Sequence, residues 1–144
     1  MILHAGLLAL RSGGLWRGVL IEGDSGSGKS DLALRALGAG FSLVADDRVV
    51  VFASGELLYG RAPVPLTGLI EVRGVGVLAR QPLSFARVIV RVRLAEAPDD
   101  EERMPEPSMT RLEGIAVPTV RLWPFAASAP AKLAALIEHL GGGL

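Results

Sequence analysis

The sequence predicts an α/β fold, a mixed and partly antiparallel sheet that carries one phosphate-binding strand–loop–helix unit. Three observations predict it. Strand-like apolar runs outnumber helical patterns, hairpin-like pairs precede and follow the first helix, and that helix begins at a glycine-rich loop. The loop, Gly23-Asp24-Ser25-Gly26-Ser27-Gly28-Lys29-Ser30, satisfies G-x-x-x-x-G-K-[ST].

Taken in order, residues 3–10 and 15–22 are apolar runs separated by Arg11-Ser12-Gly13-Gly14, which reads as a hairpin. Gly18-Val19-Leu20-Ile21 suits a buried strand leading into the loop. The pattern Asp31-Leu32-Ala33-Leu34-Arg35-Ala36-Leu37 predicts a helix closing at Gly38. Phe41–Ala45 reads as a third strand, ending at Asp46-Asp47. Arg48–Phe52 is extended, residues 53–56 turn the chain, and Leu57–Gly60 returns. Pro63 and Pro65 mark a loop. Ile70–Val77 then reads as one strand-like stretch whose glycines permit close backbone approach. Phe85–Leu94 alternates Arg87, Arg91 and Arg93 with valines, the pattern of a half-exposed strand. Residues 96–108 are acidic, proline-containing and aperiodic, which predicts a mobile loop. Ile115–Trp123 reads as a strand and Pro130–Leu140 as a terminal helix with proline in its first turn.

Composition bounds the rest. At 144 residues the chain is expected to be a single domain (1–144), and half of it is hydrophobic, which excludes global disorder. Its 15 basic and 15 acidic residues cancel, so no strong pull toward nucleic acid or anionic membrane is expected. Without cysteine there is neither a disulfide framework nor a thiolate metal site. No apolar run approaches the roughly 18 residues of a membrane span, and Met1–Leu10 lacks a basic leader. A soluble, cytoplasmic protein is expected.

The loop carries the chemistry. Its glycines let successive backbone N–H groups turn inward around phosphates, and the helix N-terminus adds partial positive charge. Lys29 would reach the β- and γ-phosphates of ATP, and the Ser30 hydroxyl would ligate Mg²⁺. Chance alone, given 18 glycines and two lysines, yields the pattern in about one chain in 400. Phosphoryl transfer also needs a carboxylate at a nearby strand end, and Asp46-Asp47 stands there. Strand alternation sends neighbours to opposite faces, so one carboxylate would serve the metal and the other a substrate hydroxyl. The residues alone do not say which. Glu71 reads either as a surface ion pair with Arg73 or as a second Mg²⁺ ligand. His4 by itself reads as a packed or surface histidine, His139 as a partner of its helix dipole, and Trp16 and Trp123 as packing.

Three segments bear a family resemblance. Gly18–Ser30, Leu43-Val44-Ala45-Asp46-Asp47-Arg48-Val49 and Leu69-Ile70-Glu71-Val72-Arg73-Gly74-Val75-Gly76 resemble, in order and spacing, the bacterial HPr kinase/phosphorylase. The resemblance covers residues 4–80 well and 85–125 loosely. It implies a P-loop-containing kinase domain of the HPr kinase / PEP carboxykinase-like type, here without the usual N-terminal domain. The implied activity is ATP-dependent phosphorylation of a serine of the phosphocarrier HPr, reversed in many members by phosphorolysis.

Carried over by position, Lys29 binds phosphates while Ser30 and Glu71 hold Mg²⁺. Asp47, with Asp46 beside it, acts as base toward the serine hydroxyl. His4 matches the family's histidine upstream of the loop, and Arg103 the arginine of its substrate loop. The family's late Pro-Gly-Arg stretch should fall near Trp123–Ser128, where this chain has neither glycine nor arginine. Phosphorolysis and the family's common homo-oligomer therefore have less support here than the kinase reaction.

Other readings make different demands. A GTPase needs asparagine for guanine, and the chain has none. A small-molecule kinase wants several lid arginines where residues 96–108 offer one. A non-catalytic ATP-binding sensor would use Asp46-Asp47 for the metal only.

Overall fold

The computed structural model describes residues 1–141. The chain forms β1 (Ile2–Leu3), β2 (Ala5–Ser12), β3 (Leu15–Glu22), α1 (Lys29–Leu37), β4 (Ser42–Ala45), β5 (Val49–Ser54) and β6 (Leu57–Arg61). A single 3₁₀ turn (Val64–Leu66) leads to β7 (Leu69–Val72), β8 (Gly76–Ala79) and β9 (Ala86–Leu94). A second such turn (Pro98–Asp100) precedes β10 (Ser108–Leu112), β11 (Ile115–Leu122) and α2 (Ala129–Gly141).

The large sheet runs β1-β5-β6-β9-β3-β2-β4, with β11 also beside β9 and β10 beside β11. The pairs β3–β9 and β9–β11 are parallel, while β2 is antiparallel to both β3 and β4. This arithmetic of directions assembles the site. The C-terminal ends of β3, β4, β9 and β11 and the N-terminal end of β2 all arrive at one edge. The mixed sheet expected from the sequence is thus present, and its parallel centre places loops at the carboxyl ends of strands, where α/β folds bind ligands.

One face of the sheet is covered by the helices. Leu8, Val19, Ile21, Val90 and Val92 pack there against Leu32, Leu133 and Ile137. Each such fully buried aliphatic contributes about 1.5–3 kcal/mol. Leu7, Leu20, Val49, Val51, Leu58 and Val88 form a second cluster. Along β2 and β3 the two clusters alternate residue by residue, as a pleated strand buried on both faces must.

Three sequence expectations need correction, and one strand was not anticipated. Ile70–Val77 is not one strand: Val72 and Gly76 pair across a turn, so β7 and β8 form a separate two-stranded sheet. Gly74, at φ 85°, supplies the left-handed turn residue that converts a run into a hairpin. Phe85–Leu94 is not half-exposed, because β9 lies inside the sheet and Arg91 is buried. A register shift between Gly18 and Val19 leaves Ile89 as an extra residue. Val88 and Val90 consequently enter different clusters, and the arginine alternation does not mark one wet face.

β10 was also not legible as a strand, being short and exposed along most of its length. Its signal is Glu113-Gly114, both at positive φ, a two-residue hairpin turn into β11. Finally, the first hairpin turns at Gly13-Gly14 alone, with Arg11 and Ser12 paired in β2.

Candidate active site

β3 delivers the phosphate loop at the sheet edge. Ser27 N–H bonds the Asp24 carbonyl at 3.0 Å, and Leu32 N–H bonds the Gly28 carbonyl at 2.9 Å, starting α1. Gly28 sits at φ 101°, a conformation strongly unfavourable for residues bearing Cβ. At Gly23 the constraint is space: a Cβ there would lie 2.5 Å from Ser27 Oγ. That hydroxyl is buried without a hydrogen-bond partner. The backbone is thus wrapped around a concavity only glycine permits, the shape a phosphate chain requires. Lys29 Nζ donates to the Gly23 carbonyl and, at 3.1 Å, to that of Asp24, so its ammonium lies against the loop's first residues.

A cavity of about 930 Å³ opens beside the loop, lined by Gly23 through Ser27 and, beyond them, by His4, Arg93, Arg121 and Phe125. The end of β4 approaches from the other flank. Asp46, 8 % exposed, accepts the Ser30 hydroxyl on Oδ1 at 3.2 Å and the Glu71 backbone N–H on Oδ2 at 3.0 Å. Burial raises its carboxyl above the usual range, against the lowering effect of those two bonds, and the charges of Asp47 and Glu71 add to the rise.

Asp47 turns the opposite way. Arg48 N–H reaches back to the Asp46 carbonyl at 2.7 Å, and Asp47 takes φ 66°. That left-handed bend is tolerated best by Asn and Asp among side-chain-bearing residues, and it throws the carboxylate into solvent. There His4 Nε2 meets Asp47 Oδ1 at 2.7 Å, while Arg48 Nη1 donates to Oδ2 at 3.2 Å. His4, between β1 and β2, also lines the cavity, so this exposed pair stands at its rim. A bonded chain therefore runs from Ser30 through Asp46, then along the backbone to Asp47 and His4.

Glu71 contributes its amide to Asp46 and has an exposed side chain. Among the described residues, no three His, Asp or Glu side chains gather into a protein-only metal cage. Arg103 lies exposed between the second 3₁₀ turn and β10, outside the cavity lining. The lining arginines are Arg93 and Arg121, cross-strand partners on β9 and β11. Sequence reading did not single them out as a pair, because only the parallel β9–β11 pairing makes them neighbours.

The segment bearing Arg103 is anchored at its start. Glu101 accepts the Trp123 N–H at 2.8 Å and Lys132 Nζ at 2.7 Å. Burial raises its pKa, but the Lys132 and Trp123 bonds outweigh that and bring it below 4.5. Since the folded-state value lies under the unfolded one, the clasp stabilises fully above pH 4.5 and weakens as pH falls through the folded value. The melting temperatures of wild type and Glu101→Gln should therefore differ by a constant amount near neutrality and converge in acid. A difference unchanged below pH 4 would show that the carboxylate's charge is not what holds the segment.

Comparison with known proteins agrees with this geometry. The family model described as HPr Serine kinase C-terminal domain matches residues 3–138. The HPr kinase/phosphorylase of Enterococcus faecalis is 37 % identical over 116 residues, covering 73 % of this chain and 37 % of the relative. That of Leptothrix cholodnii is 37 % identical over 133 residues, covering 84 % and 40 %. The chain thus spans about two fifths of the length of these curated relatives. Among solved structures, the Hpr(Ser) kinase/phosphatase of Coxiella burnetii superposes with a TM-score of 0.77 at 25 % identity, over 96 % of this chain and 95 % of that one. No helix among the described residues is long and apolar enough to cross a membrane. Motif, fold and cavity converge on one assignment: the chain belongs to the HPr serine kinase C-terminal domain family.

Proposed function

We propose that this chain is the catalytic domain of a cytoplasmic, ATP-dependent protein kinase that phosphorylates a serine of the phosphocarrier HPr. The carrying observation is the bonded chain from Ser30 through Asp46 to the Asp47–His4 pair on the cavity rim. It joins a phosphate-binding loop to an exposed carboxylate within one compact edge.

The roles follow from position. Loop amides, the N-terminus of α1 and Lys29 bind the phosphates, with Arg93 and Arg121 supplying further positive charge from the wall. The all-oxygen donor set of Ser30 and Asp46, with Glu71 adjacent, suits Mg²⁺, which binds through one or two carboxylates together with substrate phosphates. When bound, that ion neutralises charge on the phosphates. Asp47 accepts the proton of the incoming serine hydroxyl as its oxygen bonds the γ-phosphorus and ADP departs. His4 orients Asp47 through the 2.7 Å contact. Such catalysis is positioning and charge stabilisation, which this edge supplies without a covalent intermediate.

Arg103 is assigned to transition-state charge on the substrate-facing segment. Arg103→Ala is expected to lower transfer about 100-fold while nucleotide affinity stays within a few-fold. Equal loss of both would remove that assignment. The decisive experiment is intact-mass spectrometry of HPr after incubation with this protein, ATP and Mg²⁺. A gain of one phosphate, abolished by replacing the acceptor serine, supports the kinase. ATP binding without any gain would favour a nucleotide sensor or another protein substrate.

A further inference from the structure

We propose that Phe125 is the nucleobase platform of this site, stacking on the purine of the bound nucleotide; the inference rests on the nucleotide-binding reading above. Phe125 is a large aromatic side chain left 56 % exposed, and it lines the cavity. Its ring lies against the phosphate loop, since a Cβ on Gly28 would come within 3.1 Å of two ring carbons. Trp123 braces it edge-to-face, with ring centroids 6.1 Å apart and planes at 74°.

The ring's position is held from α1. Arg35 donates to the Pro124 carbonyl and, at 3.1 Å, to that of Ala126, gripping the residues on either side of Phe125. The same helix begins at the phosphate loop, so ring and loop are fixed to one rigid element. Such preorganisation removes the ordering cost that an exposed aromatic would otherwise bring to binding.

Topology sets the direction of the nucleotide. In the sheet, β4 with Asp46 lies on one side of β3, beyond β2, whereas β9 and β11 lie on the other. Ser30 and Asp46 mark the phosphate terminus where transfer occurs. A triphosphate running from there across the loop leads toward Phe125, which follows β11, and brings the nucleoside to it. An aromatic face accepts any base through stacking, and the chain offers no asparagine and a single glutamine, Gln81, for reading base edges by side-chain amides.

The test separates base from phosphate. Dissociation constants of ATP and of inorganic tripolyphosphate, each with Mg²⁺, are measured by calorimetry for wild type, Phe125→Ala and Phe125→Tyr. Phe125→Ala is expected to weaken ATP roughly 10- to 100-fold and to leave tripolyphosphate within about two-fold. Phe125→Tyr, which keeps the ring, should retain both. Unchanged ATP affinity in Phe125→Ala would overturn the proposal. So would parallel loss of both ligands, which would make the ring a support for Gly28. Wild type that binds tripolyphosphate as tightly as ATP would sink the base contact alone. Wild type that binds neither would sink the nucleotide reading itself.

Discussion

Asp47→Asn is expected to lower phosphoryl transfer to the acceptor serine by about 10²–10⁴-fold, with ATP affinity within a few-fold of wild type. The substitution is nearly isosteric, and asparagine tolerates the left-handed φ of 66° at this position, so the bend after β4 should survive. On the proposed assignment, the substitution removes the proton acceptor. Nothing in the phosphate cradle touches Asp47: its contacts are His4 and Arg48, at the rim. Asp46, buried against Ser30, is a poor substitute because its oxygens already receive that hydroxyl and the Glu71 amide. Single-turnover transfer to HPr, beside ATP titration, reads both quantities. Transfer within ten-fold of wild type would remove Asp47 as the base. Loss of ATP affinity in step with transfer would place it in nucleotide binding instead.

The opposite orientations of the two aspartates also show how far the sequence could be read. The phosphate loop was legible because its chemistry is local, a strand, a glycine-rich turn and a helix that follow one another without a break from Gly18 to Leu37. Asp46-Asp47 was legible as a pair at a strand end, and alternation already implied that the two point apart. Which one faces inward depends on the bend at Asp47 and on β7, whose Glu71 amide meets Asp46 across 25 positions. No local pattern encodes that contact. Arg93 and Arg121 became neighbours only through parallel pairing of β9 with β11, a long-range register that side-chain periodicity leaves open. Phe125 carries no local signal of its place, because Arg35 and Gly28, which fix it beside the cavity, are about 90 positions away in the chain. The family resemblance anticipated the fold, and the extra residue at Ile89 accounts for the misread exposure of β9.

Arg91→Met should be the most destabilising substitution outside the aliphatic core. Arg91 is 7 % exposed and grips Glu22 with two bonds, Nε to Oε1 at 2.5 Å and Nη2 to Oε2 at 2.9 Å. Its third donor reaches Thr110 Oγ1 at 3.0 Å, and that hydroxyl pairs with Thr119 at 2.8 Å. One guanidinium thus ties β3 and β10 to the central strand, immediately before the phosphate loop. Removing it leaves the Glu22 carboxylate without its counter-ion at the cavity wall, where it is only partly solvated. Breaking a buried pair in this way costs about 3–5 kcal/mol, and partial exposure of Glu22 places the expectation near the lower end. For a chain of this size, about 3 kcal/mol corresponds to a fall in Tm of roughly 6–12 °C.

The double variant Glu22→Leu with Arg91→Met discriminates the cause. The cost comes chiefly from stranding a charge, so removing both partners should recover most of the lost stability. A Tm for Arg91→Met within about 2 °C of wild type would show that water already compensates Glu22. A double variant no more stable than Arg91→Met would locate the loss in the Thr110 contact or in packing. Recovery of stability together with weakened ATP binding would show what the pair is kept for. Glu22 immediately precedes Gly23, and Arg91 holds the strand end from which the phosphate loop departs.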